Sequence, residues 1–260
     1  RFPGAATKDA RMINLMSQIL TNGSAGLMDL DLVKNQKLLG AGAFPYVLKD
    51  YSLLLLQGNP GQGQSLEEVQ QLLLQELAKL RKGEFSDDLI TAIVNNAKKD
   101  EIKQNESYGD RAESLMDAFT SGQDWASVVG YSDELNRITK QDVVDFANKY
   151  LNDNNYVVVY KRKGVDNNIV KVVKPEITPV TVNRDDQSDF LKRVEAMPED
   201  KIQPVWVDYN KDIQKAAANG LPVLAVKNSD NELFSLSYRF DVGKWSNKLL
   251  SLAAGYLEFL

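Results

Sequence analysis

Apolar residues recur at helical spacing early in the chain, at Met12, Ile13, Leu15, Met16, Ile19 and Leu20, which predicts a first helix over about 8–20. "TNGSAG" is its stop signal, because Asn22 and Gly23 suit a left-handed cap. "LMDLDLVKNQ" reads as a short second helix or turn. The period then changes. "KLLGAGAFPYVLKDYSLLLLQGN" holds two strand-like apolar runs joined around Lys49-Asp50, the pattern of a hairpin, and Pro45 makes the first run irregular or an edge.

Helical spacing resumes after "GNPGQGQ". Ser65 and Glu68 form a Ser-x-x-Glu capping box ahead of Val69, Leu72, Leu73, Leu77 and Leu80, and Gly83 closes that helix. Ser86 caps the next, which directs Leu89, Ile90, Ile93, Val94 and Ala97 inward. Further helices are expected near 107–121, 132–137 and 139–151, the last opened by Thr139-x-x-Asp142, and "NNYVVVYKRKG" returns as a strand. Strand, helix, hairpin, helices and strand in that order describe an α+β domain, helices packed on one face of an antiparallel sheet.

From Val165 the texture is that of a linker. "DNNIVKVVKPEITPVTVNRDDQS" has two prolines and no sustained period, with short helices expected at 188–196 and 208–217. "GLPVLAVKNSDNELFSLSYRF" reads as a new hairpin turning at Asn228–Asn231. The expected organisation is a domain at 1–164, a linker at 165–216, and the start of a second, similar α+β domain at 217–260.

Composition narrows the chemistry. The chain has 260 residues, 43% hydrophobic and 26% charged, within the globular range, with no apolar run near the roughly 20 residues that span a bilayer. A formal net charge of -5 works against nucleic-acid binding, and the one basic cluster, "YKRKG" at 160–164, reads as a solvated strand end. There is no cysteine, hence no disulfide, thiolate nucleophile or thiolate metal site. There is no histidine, which excludes a Ser-His-Asp triad, a histidine base and the usual zinc sites. "RFPGAATKDAR" is no signal peptide, but the chain starts at arginine, so an upstream segment is expected to have been removed.

Each remaining lure has a structural explanation. Gly58, Gly61 and Gly63 fit no phosphate-loop spacing, no lysine follows them, and Glu67 and Glu68 place negative charge where a phosphate would sit. Asp87-Asp88 and Asp185, Asp186 and Asp189 lie where helices begin and suit the positive end of the helix dipole. Trp125, Trp206 and Trp245 are expected in core or linker packing, and Arg111, close to Tyr108, in an ion pair with Asp110 or Glu113. No catalytic or metal-ligating residue is assigned, and no substrate-binding residue is identified.

The serial order of phrases resembles the pitrilysin/insulinase family of zinc metallopeptidases, the inverzincins with an H-x-x-E-H motif. The phrases are "RFPG", "LTNGSAGL", "QGNPGQGQSLEEVQQLLLQELAKLRKGEFSDDLI", "RAESLMDAFTSGQDW", "ITKQDVVDFANKYL" and "NNYVVVYKRKG", covering about 1–164. "KPEITPV", "FLKRVEAMP" and "IQPVWVDY" are similar to the inter-half linker of large bacterial members, and "LPVLAVKNSDNELFSLSYRF" to the opening of the following half. The resemblance implies two homologous halves, each of two α+β clamshell domains of ferredoxin-like elaboration, closing on a peptide or unfolded segment. This chain would be a middle segment without the zinc-bearing domain, shaping the chamber and hinge of a zinc-dependent metalloendopeptidase. Zinc is then expected in the parent protein and not in this chain, which alone should be inactive; its partners are the other domains of the polypeptide and a peptide substrate, with no nucleic acid and no membrane span. A bacterial periplasmic location is favoured over the cytoplasm. The alternative is a noncatalytic partner subunit or scaffold of the same fold, and a phosphate-binding protein using "GNPGQGQ" ranks third.

One echo supports a duplicated architecture. Arg1-Phe2 and Arg239-Phe240 each precede an amphipathic pattern, and with a one-residue gap Met12, Ile13, Leu15, Met16, Ile19 and Leu20 fall on Leu249, Leu250, Leu252, Ala253, Tyr256 and Leu257. Each copy should close an early strand and pack a helix back on its sheet. The second is expected to be cut at Leu260, inside that helix.

Overall fold

The computed structural model describes residues 1–165, 167–183 and 185–259; Leu260, where the second helix was expected to be cut, lies outside the described residues. Two compact units are distinguished, Arg1–Tyr160 with Asn228–Leu260, and Lys161–Lys227.

In the first unit β1 (Phe2–Pro3), β2 (Gly40–Val47) and β3 (Tyr51–Asn59) form an antiparallel sheet of order β1-β3-β2. The hairpin turns at Lys49-Asp50 as expected, and Pro45 sits on edge strand β2, where the N–H it lacks is not needed on the outer side. Helix α1 (Asp9–Leu20) lies on one face, with Ile13, Leu15, Met16, Ile19 and Leu20 sealed from solvent. Ser17 donates to the Ala43 carbonyl at 2.8 Å and Thr21 Oγ1 accepts from the Ala43 N–H at 3.0 Å, so α1 and β2 satisfy each other's polar groups inside the interface. α1 ends on extended Thr21 rather than on a left-handed cap; positive φ comes later, at Gly23, where the Asp29 carboxylate accepts from the N–H groups of Asn22, Gly23 and Gly26. Asp29 opens a π-helical turn, Asp29–Lys34, whose Leu32 enters the core.

Helices α2 (Leu66–Lys82), α3 (Asp87–Gln104), α4 (Tyr108–Ser121), α5 (Trp125–Val129), α6 (Tyr131–Leu135) and α7 (Lys140–Tyr150) follow. Their starts are the expected ones where capping chemistry was visible: Ser65 accepts from Glu68, Ser86 from Asp88, and Thr139 with Asp142 completes a reciprocal box. Gly83 ends α2 at φ 71°, a conformation open to glycine at little cost. α5, five residues capped by Asp124, escaped the sequence pattern because it is too short to show a period. Phe2 closes the core against Phe146 and Tyr150, ring centroids 6.0 and 5.2 Å away.

Three expectations are corrected. "NNYVVVYKRKG" forms no strand, because no strand among the described residues pairs with it. No helix forms over 208–217; a turn at Asp208–Asp212 leads into β4 (Gln214–Ala218). The hairpin turns not at Asn228–Asn231 but at Asn219-Gly220, between β4 and β5 (Leu221–Ala225). Asn219 and Gly220 have φ of 51° and 81°, the two positive values a type I′ turn requires, and Asn-Gly meets that demand better than a four-residue polar loop. In the second unit α8 (Asp189–Glu195) forms where expected, capped by Ser188. α9 (Leu250–Phe259) belongs to the first unit.

Candidate functional site

The sheet has two unlike faces. Ala43, Ser52, Leu54 and Leu56 turn toward α1 and the helices, whereas Phe44, Tyr46, Leu48, Tyr51, Leu53 and Leu55 turn outward and are exposed. Register stacks the outward set in cross-strand pairs, Phe44 opposite Leu55 and Tyr46 opposite Leu53. An antiparallel sheet with one solvated face ordinarily carries polar residues there. Four successive leucines, Leu53–Leu56, break that alternation, and this was the overlooked signal in the sequence: a strand apolar on both faces has something to meet on both. The guanidinium of Arg1 lies over the Tyr51 ring at 4.8 Å and closes one end of the patch.

A second concavity, about 920 Å³, lies among α1, α3, α4 and α5. Its polar groups serve one another. Arg11 pairs with Glu134, donates to the Ser127 carbonyl at 2.6 Å and lies over Tyr131 at 5.6 Å. Burial is the main cause that pushes the Tyr131 phenol above its ordinary range; a hydrogen bond with Asn14 and the Arg11 charge oppose it. This is a staple between helices rather than a set of groups aimed at a ligand.

A third polar site is internal. Glu76 is sealed under α2, with Oε1 accepting from Lys79 at 2.8 Å, while Lys79 also reaches Asp31 at 2.5 Å. Glu76 Oε2 has no partner. Burial drives the Glu76 carboxyl above the usual range, against the hydrogen bond and charge of Lys79. Burial also lowers Lys79, but its bonds to Asp31 and Glu76 outweigh this and leave it raised.

The residues weighed from the sequence do not converge. In "GNPGQGQ" the Gly61 N–H is spent on Gln64 Oε1 and the Ser65 hydroxyl on Glu68, which leaves a built turn into α2 rather than an anion cradle. Asp87 pairs with Lys140 at 3.3 Å at the start of α3, and Asp185 and Asp186 close a turn on Asn183. Trp125, Trp206 and Trp245 are exposed, a correction to the expected packing. Arg111 stacks over the Tyr108 ring at 4.4 Å, and the expected ion pair with Asp110 or Glu113 does not form among the described residues. The residues present do not fit a zinc ion: the chain has neither histidine nor cysteine, and no group of three carboxylates gathers among the described residues.

Residues 1–97 match the family described as Peptidase M16 inactive domain. A curated relative, the zinc protease PqqE of Helicobacter pylori (strain ATCC 700392 / 26695), is 26% identical over 162 residues, 62% of this chain and 36% of the relative. The chain thus spans little more than a third of that protein's length. The crystal structure of a protease from Helicobacter pylori superposes with a TM-score of 0.55 at 25% identity, over 58% of this chain and 37% of that one. The inactive peptidase domain of a protein described as a zinc protease from Bordetella parapertussis has the same fold, with a TM-score of 0.53 at 22% identity over 59% of this chain and 83% of that one.

Proposed function

We propose that the chain, whose residues 1–97 match the Peptidase M16 inactive domain, belongs with the zinc proteases of the pitrilysin/insulinase family and forms a noncatalytic wall of a metallopeptidase chamber that receives peptides or unfolded segments. The observation that carries this reading is the outward face of β2 and β3. Its side chains, Phe44, Tyr46, Leu48, Tyr51, Leu53 and Leu55, offer apolar and aromatic contact to a chain of any sequence. Such a face holds unfolded polypeptide by its own apolar residues and gives little purchase to a folded, polar surface. Zinc and the hydrolytic water would be supplied by another domain of the same polypeptide, the metal lowering the pKa of the water it binds. The segment 165–216 would serve as the hinge between halves, and a bacterial periplasmic setting belongs to the same reading.

Replacing Leu53 and Leu55 together by serine in the full-length protein tests it. Both side chains point outward, so the fold and the zinc content should be retained. The expected result is a rise in KM of about 10-fold for an unfolded peptide with kcat little changed, since uniform binding and not the chemical step is lost. An unchanged KM overturns the chamber reading. The isolated chain should bind no stoichiometric zinc and cleave no peptide; tight zinc binding by it would overturn the placement of the metal in another domain.

A further inference from the structure

Asparagine followed by glycine readily loses its side-chain amide, because glycine has no side chain to shield the main-chain nitrogen that attacks it. The chain holds two such pairs, Asn22-Gly23 and Asn219-Gly220. Neither glycine is crowded, since a side-chain carbon added at either would meet nothing within 4 Å. Sterics leave the two pairs level. Hydrogen bonding separates them.

Asn22 is held on all sides. Its Oδ1 accepts from the N–H groups of Ser24 and Ala25 at 3.1 and 2.9 Å, its Nδ2 donates to the Gln18 carbonyl at 3.3 Å, and the Gly23 N–H donates to Asp29 Oδ2 at 2.9 Å. Asp29 is itself fixed by its chain neighbours Met28 and Leu32, both sealed from solvent. Attack requires turning about the Cα–C bond of the asparagine until the glycine nitrogen comes within about 3–3.5 Å of Cγ. At Asn22 that rotation breaks these bonds. At Asn219 it breaks almost nothing. This pair is the tip of the β4–β5 hairpin, closed by Ala218 opposite Leu221, and neither the Gly220 N–H nor the Asn219 side chain has a hydrogen-bond partner among the described residues. Every residue of both strands is exposed, and a lone two-stranded hairpin is marginally stable, so the tip opens readily.

We propose that Asn219 is a site of spontaneous deamidation, while Asn22 is protected by the Asp29 carboxylate and the turn around it. Hydroxide takes the Gly220 N–H proton, the nitrogen bonds to Asn219 Cγ, and the amide Cγ–N bond breaks, its nitrogen leaving as ammonia with a proton drawn from water. Water then opens the cyclic imide. Addition at Cγ leaves an ordinary aspartate; addition at the main-chain carbonyl carbon leaves an isoaspartyl linkage, in which the backbone runs through Cβ and Cγ and is longer. The lengthened backbone no longer fits the positive φ values of 51° and 81° on which the turn depends, so the β4–β5 register is lost. Either product adds a negative charge to the second unit. Pairing in this hairpin therefore declines with the age of the chain.

Incubating the chain at mildly alkaline pH and following both sites by peptide mass spectrometry tests the proposal. Deamidation at Asn219 should run at least about 10-fold faster than at Asn22, because only the latter needs a costly local opening. Unfolded in guanidinium chloride, the two should react within about 2-fold of each other, since the hydrogen bonds that separate them are gone. Equal rates in the folded chain, or a difference that persists in denaturant, overturns the proposal. Asn219→Asp supplies the charge on an ordinary backbone. NMR contacts between Ala216 and Val223, opposite each other across the hairpin, should persist in that variant and disappear in the isoaspartyl product; their survival there overturns the loss of register.

Discussion

The chain carries two copies of one local pattern with opposite fates. Phe2 ends a strand and is 5% exposed, wedged against Phe146 and Tyr150; Phe240, in the second Arg-Phe, is 76% exposed and in no strand. Met12, Ile13, Leu15, Met16, Ile19 and Leu20 of α1 are all buried, while their counterparts Leu249, Leu252, Tyr256 and Leu257 around α9 are exposed. Both segments are helical. What separates them is the sheet beneath: α1 has β2 and β3 to lie on, and α9 has no finished sheet among the described residues. The helix is a property of the local sequence, and burial is a property of the neighbours.

The largest contrast should appear on truncation. Ile13→Ala in α1 removes fully buried atoms and should cost about 2–5 kcal/mol in urea unfolding, whereas Leu252→Ala should stay within about 0.5 kcal/mol. Equal losses at the two sites would break the comparison.

Glu76 gives the next effect, on the order of 1 kcal/mol. Its folded pKa is raised, chiefly by burial, above the unfolded value. Its favourable contribution is therefore complete below the unfolded pKa and is lost as pH rises through the folded one. Glu76→Gln keeps the neutral form at every pH, so its stability relative to the native chain should climb from acid to neutral pH, as followed by thermal melts. A constant difference would mean that Lys79 fully compensates the buried carboxylate.

Thr139→Ala should cost about 1 kcal/mol by removing a helix cap. Thr139, through its hydroxyl and its backbone N–H, holds the Asp142 carboxyl below its usual range. That contribution is present above the unfolded carboxylate pKa and disappears as pH falls through the folded value, so the penalty should shrink in acid. The smallest effect is kinetic and local: amides of Val157 and Val159, both exposed, should exchange far faster than that of buried Met16.

Legibility followed the range of the interaction. The boundaries of α2, α3 and α7 were readable because Ser65, Ser86 and Thr139 act on backbone groups two or three residues away. The hairpin at Lys49-Asp50 was equally plain. Asn219-Gly220 is a stronger turn signal than the polar loop downstream, and a hairpin closing there makes Gln214–Ala218 a strand rather than the end of a helix over 208–217. The outward apolar face of β2 and β3 was visible only as a failure of alternation at Leu53–Leu56, and the Arg11–Glu134 and Glu76–Lys79–Asp31 pairings join residues that no spacing rule connects.

By itself the sequence determined the longer helices of 1–160, the starts of α2, α3 and α7, the first hairpin and, through the absence of histidine and cysteine, that this stretch carries no usual zinc ligand set. Tertiary structure alone decided which of two similar apolar helix patterns is buried and which face of the sheet stays open. Caps and turns are settled by atoms a few residues apart, whereas burial and strand pairing need a partner surface that only the assembled fold provides.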